Sequence, residues 1–342
     1  MYVYYDDRYM TNWISDGLSR AVTDFLQRKG FEVLNANELA ELMRKSVDED
    51  TCWKTLIVFS RDLVPETICH YPYPNTLIRQ YLDNGGTIVW FGDIPLYYRA
   101  LSPSSSKRIK EQLKSVNQLE DEILKQMKKQ RDDKGRFAHL HELRASFNIL
   151  EVIPILAKNP SKVRITKAGK ELGLRSLWYS DRPILIRGTN LRKKKPVTLA
   201  TSKPRYIMPF ERAILDQKKE KRFSFSVIDL LLKTIGLIPA LITLVTALYF
   251  SLTGFATALI WSFLVASLLL FFAYVIYWLF WSRVTYAGAW FRNFDRRYPG
   301  SGFYRLWDFM PDRINQTSLE EFSNIIQSIT HKLSKNINTN QK

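Results

Sequence analysis

Residues 79–95 read RQYLDNGGTIVWFGDIP. The stretch is the end of a helix, a double-glycine turn and an apolar strand. The helix covers 75–82 and is closed by Asn84, Gly85 and Gly86, and the strand is 87–91. Glycine suits the reversal because it takes a left-handed backbone without a Cβ clash. Upstream, 55–59 (TLIVF) is a continuous β-branched and aromatic run, the pattern of a strand buried on both faces. Tyr2 to Tyr5 and Phe31 to Leu34 are two further short strands. Between them, 12–30 shows helical periodicity through Ile14, Leu18, Val22, Phe25 and Leu26, with Gly30 as a C-cap. Asn37 caps a helix carrying Leu39, Leu42 and Met43. Strands that alternate with helices predict an α/β fold with a doubly wound, mainly parallel sheet.

Ligands of such sheets sit outside the carboxyl ends of the strands. Those ends carry Asp6, Asp7 and Arg8; Ser60, Arg61 and Asp62; and Gly92 and Asp93. No GxGxxG or Walker-type loop follows the first strand, so no cofactor is expected.

The stretch 79–95 resembles the helix, glycine turn and strand of class I glutamine amidotransferase-like domains, over residues 1–100 and, more faintly, the strands around 183–200. The resemblance implies a flavodoxin-like core. Active members of that superfamily place a Cys on a sharp strand-to-helix turn, with His and Glu later. Here the strand leads into FGDIP, and Cys69-His70 lies in a loop before YPYP. The resemblance therefore implies a member without the nucleophile. YVYYDD also resembles the first strand of response-regulator receiver domains, whose acidic pair holds Mg²⁺. In those domains the phosphoaccepting Asp stands four residues before a Pro. Arg61 occupies that position before Pro65, and Asp62 stands three before it.

The chain has 342 residues and a formal net charge of +17, from 50 Lys+Arg and 33 Asp+Glu. Residues 1–100 carry ten basic and fourteen acidic residues, so the excess lies in the middle and C-terminal parts. From Thr234 to Ser282 there are 49 residues without Asp, Glu, Lys, Arg or His. A bilayer core needs about 20 apolar residues per helix, so two spans are expected, at 226–252 and 255–281. Basic residues flank the run on both sides, which places both termini in the cytoplasm and makes the chain a multi-pass integral membrane protein. In a bacterium or archaeon that is the inner (plasma) membrane. Anionic lipid headgroups take the first claim on the basic excess and nucleic acid the second. The hairpin can also self-associate into a homo-oligomer through Gly236, Ala240 and Ala247.

Residues 104–133 form a charged helical insertion in an α/β domain spanning 1–210. His139 and His141, with Glu142 beside them, need a further ligand to hold a metal, and the other two histidines of the chain are His70 and His331, so no metal is expected. Two cysteines, Cys52 and Cys69, suit a reducing compartment. Trp178, Tyr179, Ser180 and Arg182 cluster before an apolar run, where an Arg beside aromatics can clamp an anionic small molecule. Residues 283–335 form an aromatic and basic tail whose last helix opens with a capping box, Ser318 with Glu321.

Three functions fit these residues. The first is a non-catalytic ligand-sensing or scaffold module at the membrane. The second is a membrane-perturbing effector gated by an anionic or nucleotide-like signal. The third is a membrane-tethered hydrolase or transferase with Asp93, Asp62 or Asp6 as acid or base.

Overall fold

A computed structural model describes residues 1–70, 75–102, 104–105, 137–139, 146, 149–157, 161–176, 178–180, 182–186, 196–203, 207–209, 285–292, 294, 297–307 and 316–340. They belong to one compact unit, Met1–Pro209 with Thr285–Lys342.

The N-terminal elements are β1 (Tyr2–Tyr4), α1 (Asp16–Arg28), β2 (Glu32–Leu34), α2 (Ala36–Asp48), β3 (Leu56–Phe59), β4 (Val64–Pro65), α3 (Leu77–Asp83), β5 (Thr87–Trp90), β6 (Arg99–Leu101) and β7 (Phe137–His139). Next come β8 (Val152–Ala157), β9 (Ser161–Lys162), β10 (Arg164–Ile165), α4 (Lys167–Leu172), β11 (Tyr179–Ser180), β12 (Ile184–Ile186), β13 (Val197–Ser202) and β14 (Ile207–Pro209). The last are β15 (Thr285–Phe291), β16 (Gly302–Arg305) and α5 (Gln316–Asn340).

The main sheet runs β14-β8-β12-β15-β16-β5-β3-β1-β2, with β13 beside β15 and β10 beside β13. From β16 to β2 every pairing is parallel. From β15 outward every pairing is antiparallel. The sheet is therefore mixed, which corrects the mainly parallel expectation. The reason lies in 285–305, expected as part of a tail. Thr285–Phe291 and Gly302–Arg305 pair with each other, and the second then pairs with β5, in the middle of the sheet.

Local signals explain the helices. Ser15 caps α1 by accepting from the Leu18 N–H at 3.1 Å, and the helix closes at Gly30, whose φ is +86°. The cap of α2 is Asn35, two residues before the expected Asn37. Its Oδ1 accepts from the N–H groups of Asn37 and Glu38, and Glu38 accepts in return from the Asn35 N–H. Ser318 and Glu321, the expected capping box, lie inside α5, which starts at Gln316. Glu321 accepts from the Arg175 and Ser176 N–H groups at 2.8 and 3.1 Å, which pins α5 to the turn after α4.

One face of the sheet carries a core of Val3, Val58, Val89 and Tyr304 under α1, α4 and α5. The other face carries a row of rings, Tyr4, Phe59, Trp90 and Phe303, with successive centroids 5.2, 5.3 and 6.0 Å apart. The chain moves outward from β1 to β2 and then back across β1 to β3. Right-handed crossovers therefore put α2, and after it α3, on the face opposite α1.

Among the described residues no helix is long and apolar enough to cross a membrane. The 25-residue α5 has the length, but it carries Glu320, Glu321, His331, Lys332 and Lys335. This finding corrects the expected two-helix transmembrane hairpin, the multi-pass character and the integral-membrane localisation. Residues 226–282, on which the hairpin is placed by sequence, lie outside the described residues. So do the insertion at 106–133 and the pair His141 and Glu142.

Candidate functional site

The carboxyl ends of β1, β3 and β5 meet the loop that joins β1 to α1. Asp62, three residues past β3, turns its carboxylate into that loop. Its Oδ1 accepts from the Asn12 N–H at 3.0 Å, and its Oδ2 accepts from the N–H groups of Trp13 at 2.5 Å and Ile14 at 3.0 Å. Three successive N–H groups aimed at one point form a concave anion nest. A carboxylate of the chain fills it.

Asp93, past β5, lies beside this pair. The Asn12 side-chain amide donates to its Oδ2 at 2.5 Å, and the Ile94 N–H donates to its Oδ1 at 2.6 Å. Arg182 donates from Nη1 to the same Oδ1. Both carboxylates are fully buried. Burial pushes Asp62 up to about 6, and the neighbouring Asp93 charge adds to the rise. Gly92 makes the approach possible. Its φ is +94°, and a Cβ there would stand 2.8 Å from Ile14 Cγ2 and 3.6 Å from Asp62 Cβ.

Arg182 is held from three sides. Its guanidinium carbon lies 3.7 Å from the Trp13 ring centroid, its Nη1 meets Asp93, and its backbone oxygen accepts from Arg305 Nη2 at 2.7 Å. Arg305 is itself fully buried and donates to the Tyr286 oxygen at 3.0 Å. Trp13, which is far from Arg182 in sequence, is an aromatic partner of its guanidinium. Trp178 packs in the core, Ser180 is buried in the short ladder of β11 with β9, and Tyr179 is exposed.

A second polar group stands beside the first. Asp6, at the end of β1, is gripped by Arg8 through Nε at 2.9 Å and Nη2 at 2.7 Å, and it accepts from the Ala36 N–H at 3.0 Å. Burial would raise its pKa, but the Arg8 and backbone donors outweigh this and hold it below 3.8. Asp7 is exposed. Arg61 is buried, donates from Nη1 to the Tyr9 oxygen and to Asp16, and lies over the Tyr5 ring.

The strand-end residues chosen by sequence thus fall into two neighbouring groups. Asp62, Gly92, Asp93 and Arg182 share one, and Asp6, Arg8 and Arg61 share the other. Sequence reasoning misses Asn12, Trp13 and Arg305. The NW pair in the first loop has no motif, and Arg305 contributes through backbone contacts across the sheet.

Among the described residues no group of three or more His, Cys, Asp or Glu is placed to hold a metal ion. Cys52 and Cys69 are both buried and free of disulfide bonds. A cleft of about 350 Å³ lies at the opposite, amino-terminal end of the strands, between Met1, Lys29 and Phe31 and the Ile326–His331 side of α5. None of the strand-end residues lines it.

The MJECL34 family model matches residues 1–132. An uncharacterized protein, MJECL34 of Methanocaldococcus jannaschii, is 35% identical over 100 residues, which is 28% of this chain and 34% of that relative. The chain therefore matches about a third of the length of this curated relative. No solved structure matches. The similarity to the MJECL34 family takes in every strand-end residue from Asp6 to Asp93 and leaves Arg182 and Arg305 outside it.

Proposed function

We propose that this chain is a non-catalytic α/β ligand-sensing or scaffold module. One observation carries the reading: the strand-end carboxylates are engaged on all their oxygens by the chain itself. Asp62 is held by three backbone N–H groups, and Asp93 by Arg182, Asn12 and the Ile94 N–H. A general acid or base has to reach a substrate proton within hydrogen-bond distance. Two buried and saturated carboxylates do not offer that reach. What they do offer is a rigid junction among three strand ends, a loop and a distant Arg, which suits recognition better than turnover.

The competing enzyme reading draws on Asp62, whose raised pKa near 6 lies in the working range of a general acid. The full chain should be assayed with glutamine, p-nitrophenyl phosphate and p-nitrophenyl acetate, beside a folded Asp62→Asn variant. The expected result is no turnover that distinguishes the two proteins. Turnover by the wild type that disappears in Asp62→Asn would overturn the proposal.

A further inference from the structure

Arg61 is 1% exposed, yet among the described residues only one of its three guanidinium nitrogens has a hydrogen-bond partner. Nη1 donates to the Tyr9 oxygen at 2.6 Å and to Asp16 Oδ1 at 3.1 Å. Nε and Nη2 are buried without a hydrogen-bond partner among the described residues. These two nitrogens form one edge of the guanidinium plane. Their N–H bonds run side by side and match two oxygens of a single carboxylate or phosphate.

The same chain shows that edge at work next door. Arg8 grips both oxygens of Asp6 through its own Nε and Nη2, at 2.9 and 2.7 Å. In Arg61 the equivalent edge has no such partner among the described residues. A third donor is near. The Tyr4 hydroxyl is also buried without a partner among the described residues, and Tyr4 pairs in register with Phe59, two residues before Arg61. Tyr4 ends β1 and Arg61 follows β3. The two strands are parallel neighbours, so both residues lie at adjacent carboxyl ends, the side on which open α/β sheets bind ligands. The Tyr5 ring, 4.7 Å from the guanidinium carbon, braces the plane and fixes the direction of its edge.

We infer that the Nε–Nη2 edge of Arg61, with the Tyr4 hydroxyl, binds one small oxyanion group, a carboxylate or a phosphate. The inference rests on the reading of the strand ends as a ligand-binding crevice, and it names the chemistry of that ligand. The nearby carboxylates do not engage that edge. Asp6 is taken by Arg8 and the Ala36 N–H, and Asp16 sits on Nη1. Buried donors left without an acceptor are costly, so the competing occupant is a single buried water.

The test is calorimetric titration of the full chain with inorganic phosphate and, separately, with acetate. One of the two should bind with a single site, and which one binds distinguishes phosphate from carboxylate ligands. Arg61→Lys keeps the charge and removes the fork, so affinity should fall about tenfold or more. Tyr4→Phe removes only the third donor and should weaken binding severalfold. Asp16→Asn removes a neighbouring like charge and should tighten it severalfold. Should Arg61→Lys fail to fold, Tyr4→Phe decides alone. The inference is overturned if neither anion binds the folded wild type, which leaves water in the site. It is equally overturned if Tyr4→Phe and Arg61→Lys bind as the wild type does. Either failure leaves the non-catalytic reading standing as long as Asp62→Asn removes no turnover.

Discussion

The Arg182 guanidinium carbon lies 3.7 Å from the centroid of the Trp13 ring, while its Nη1 pairs with Asp93. One side chain therefore ties the loop after β1 to the end of β5 and to the segment entering β12. Asp93 has no exposed surface, so water cannot replace the lost partner. Arg182→Met keeps most of the stem over Trp13 and deletes the charge. It should destabilise the fold by about 3–5 kcal/mol, the penalty for leaving a buried carboxylate unpaired. Urea unfolding measures this. Adding Asp93→Asn should recover much of the loss, because the two residues form one coupled unit. A loss under about 1 kcal/mol would place the pair among ordinary exposed ion pairs and undo the argument.

Asp62 gives the fold an unusual pH dependence. Its ordinary pKa is 3.8, and burial with the Asp93 charge raises it to about 6. The folded protein thus binds this proton more tightly than the unfolded chain does. The contribution of Asp62 to stability is fully present below pH 3.8 and is lost as the pH rises through about 6. Asp6 works in the opposite sense. Its pKa is held below 3.8, so its contribution is present above that value and is lost as the pH falls through its lowered folded value. The interval between 3.8 and about 6 therefore belongs to Asp62. Urea midpoints across it should fall with rising pH in the wild type and flatten in Asp62→Asn. An equal slope in both proteins would show that another group sets the trend.

The parallel half of the sheet is legible in the sequence, and the antiparallel half is not. Leu56–Phe59 and Thr87–Trp90 are buried on both faces and so read as unbroken apolar runs. Thr285–Phe291 (TYAGAWF) mixes aromatics with small residues beside a long uncharged stretch, and locally it reads as a tail at an interface. Its place in the sheet depends on Gly302–Arg305 reaching Thr87–Trp90, a pairing with no local trace. The site divides in the same way. The rule about strand ends finds Asp62, Gly92 and Asp93 because it follows from topology. It cannot find Trp13, because the stack on Arg182 is made between segments far apart in the chain.

Gly92 should resist substitution for two separate reasons. Its φ of +94° is a conformation that a side chain rarely adopts, and an added Cβ would meet Ile14 Cγ2 at 2.8 Å. Ile14 also supplies one of the N–H groups that hold Asp62. Gly92→Ala should therefore cost about 1–3 kcal/mol from backbone strain alone and should loosen the loop. Hydrogen exchange at the Trp13 and Ile14 amides should speed up in the variant. Unchanged exchange together with unchanged stability would mean that the loop yields without disturbing Asp62.

Tyr4→Phe offers the most direct reading of the Arg61 site. The Tyr4 ring packs 5.2 Å from Phe59, and that packing survives loss of the oxygen. The hydroxyl is buried without a partner among the described residues, and burial pushes its pKa well above the ordinary value of 10.0, so it stays protonated. A buried hydroxyl that makes no hydrogen bond costs about 1–3 kcal/mol. Tyr4→Phe should then raise stability by about 1 kcal/mol in buffer free of phosphate and carboxylates. A ligand that binds only the folded state stabilises it in proportion to its affinity. Added anion should therefore stabilise the wild type more than the variant and shrink the difference. Paired denaturation curves, with and without phosphate or acetate, measure both effects. If Tyr4→Phe is the less stable protein in the absence of anion, the hydroxyl already has an acceptor, and water rather than an anion satisfies it.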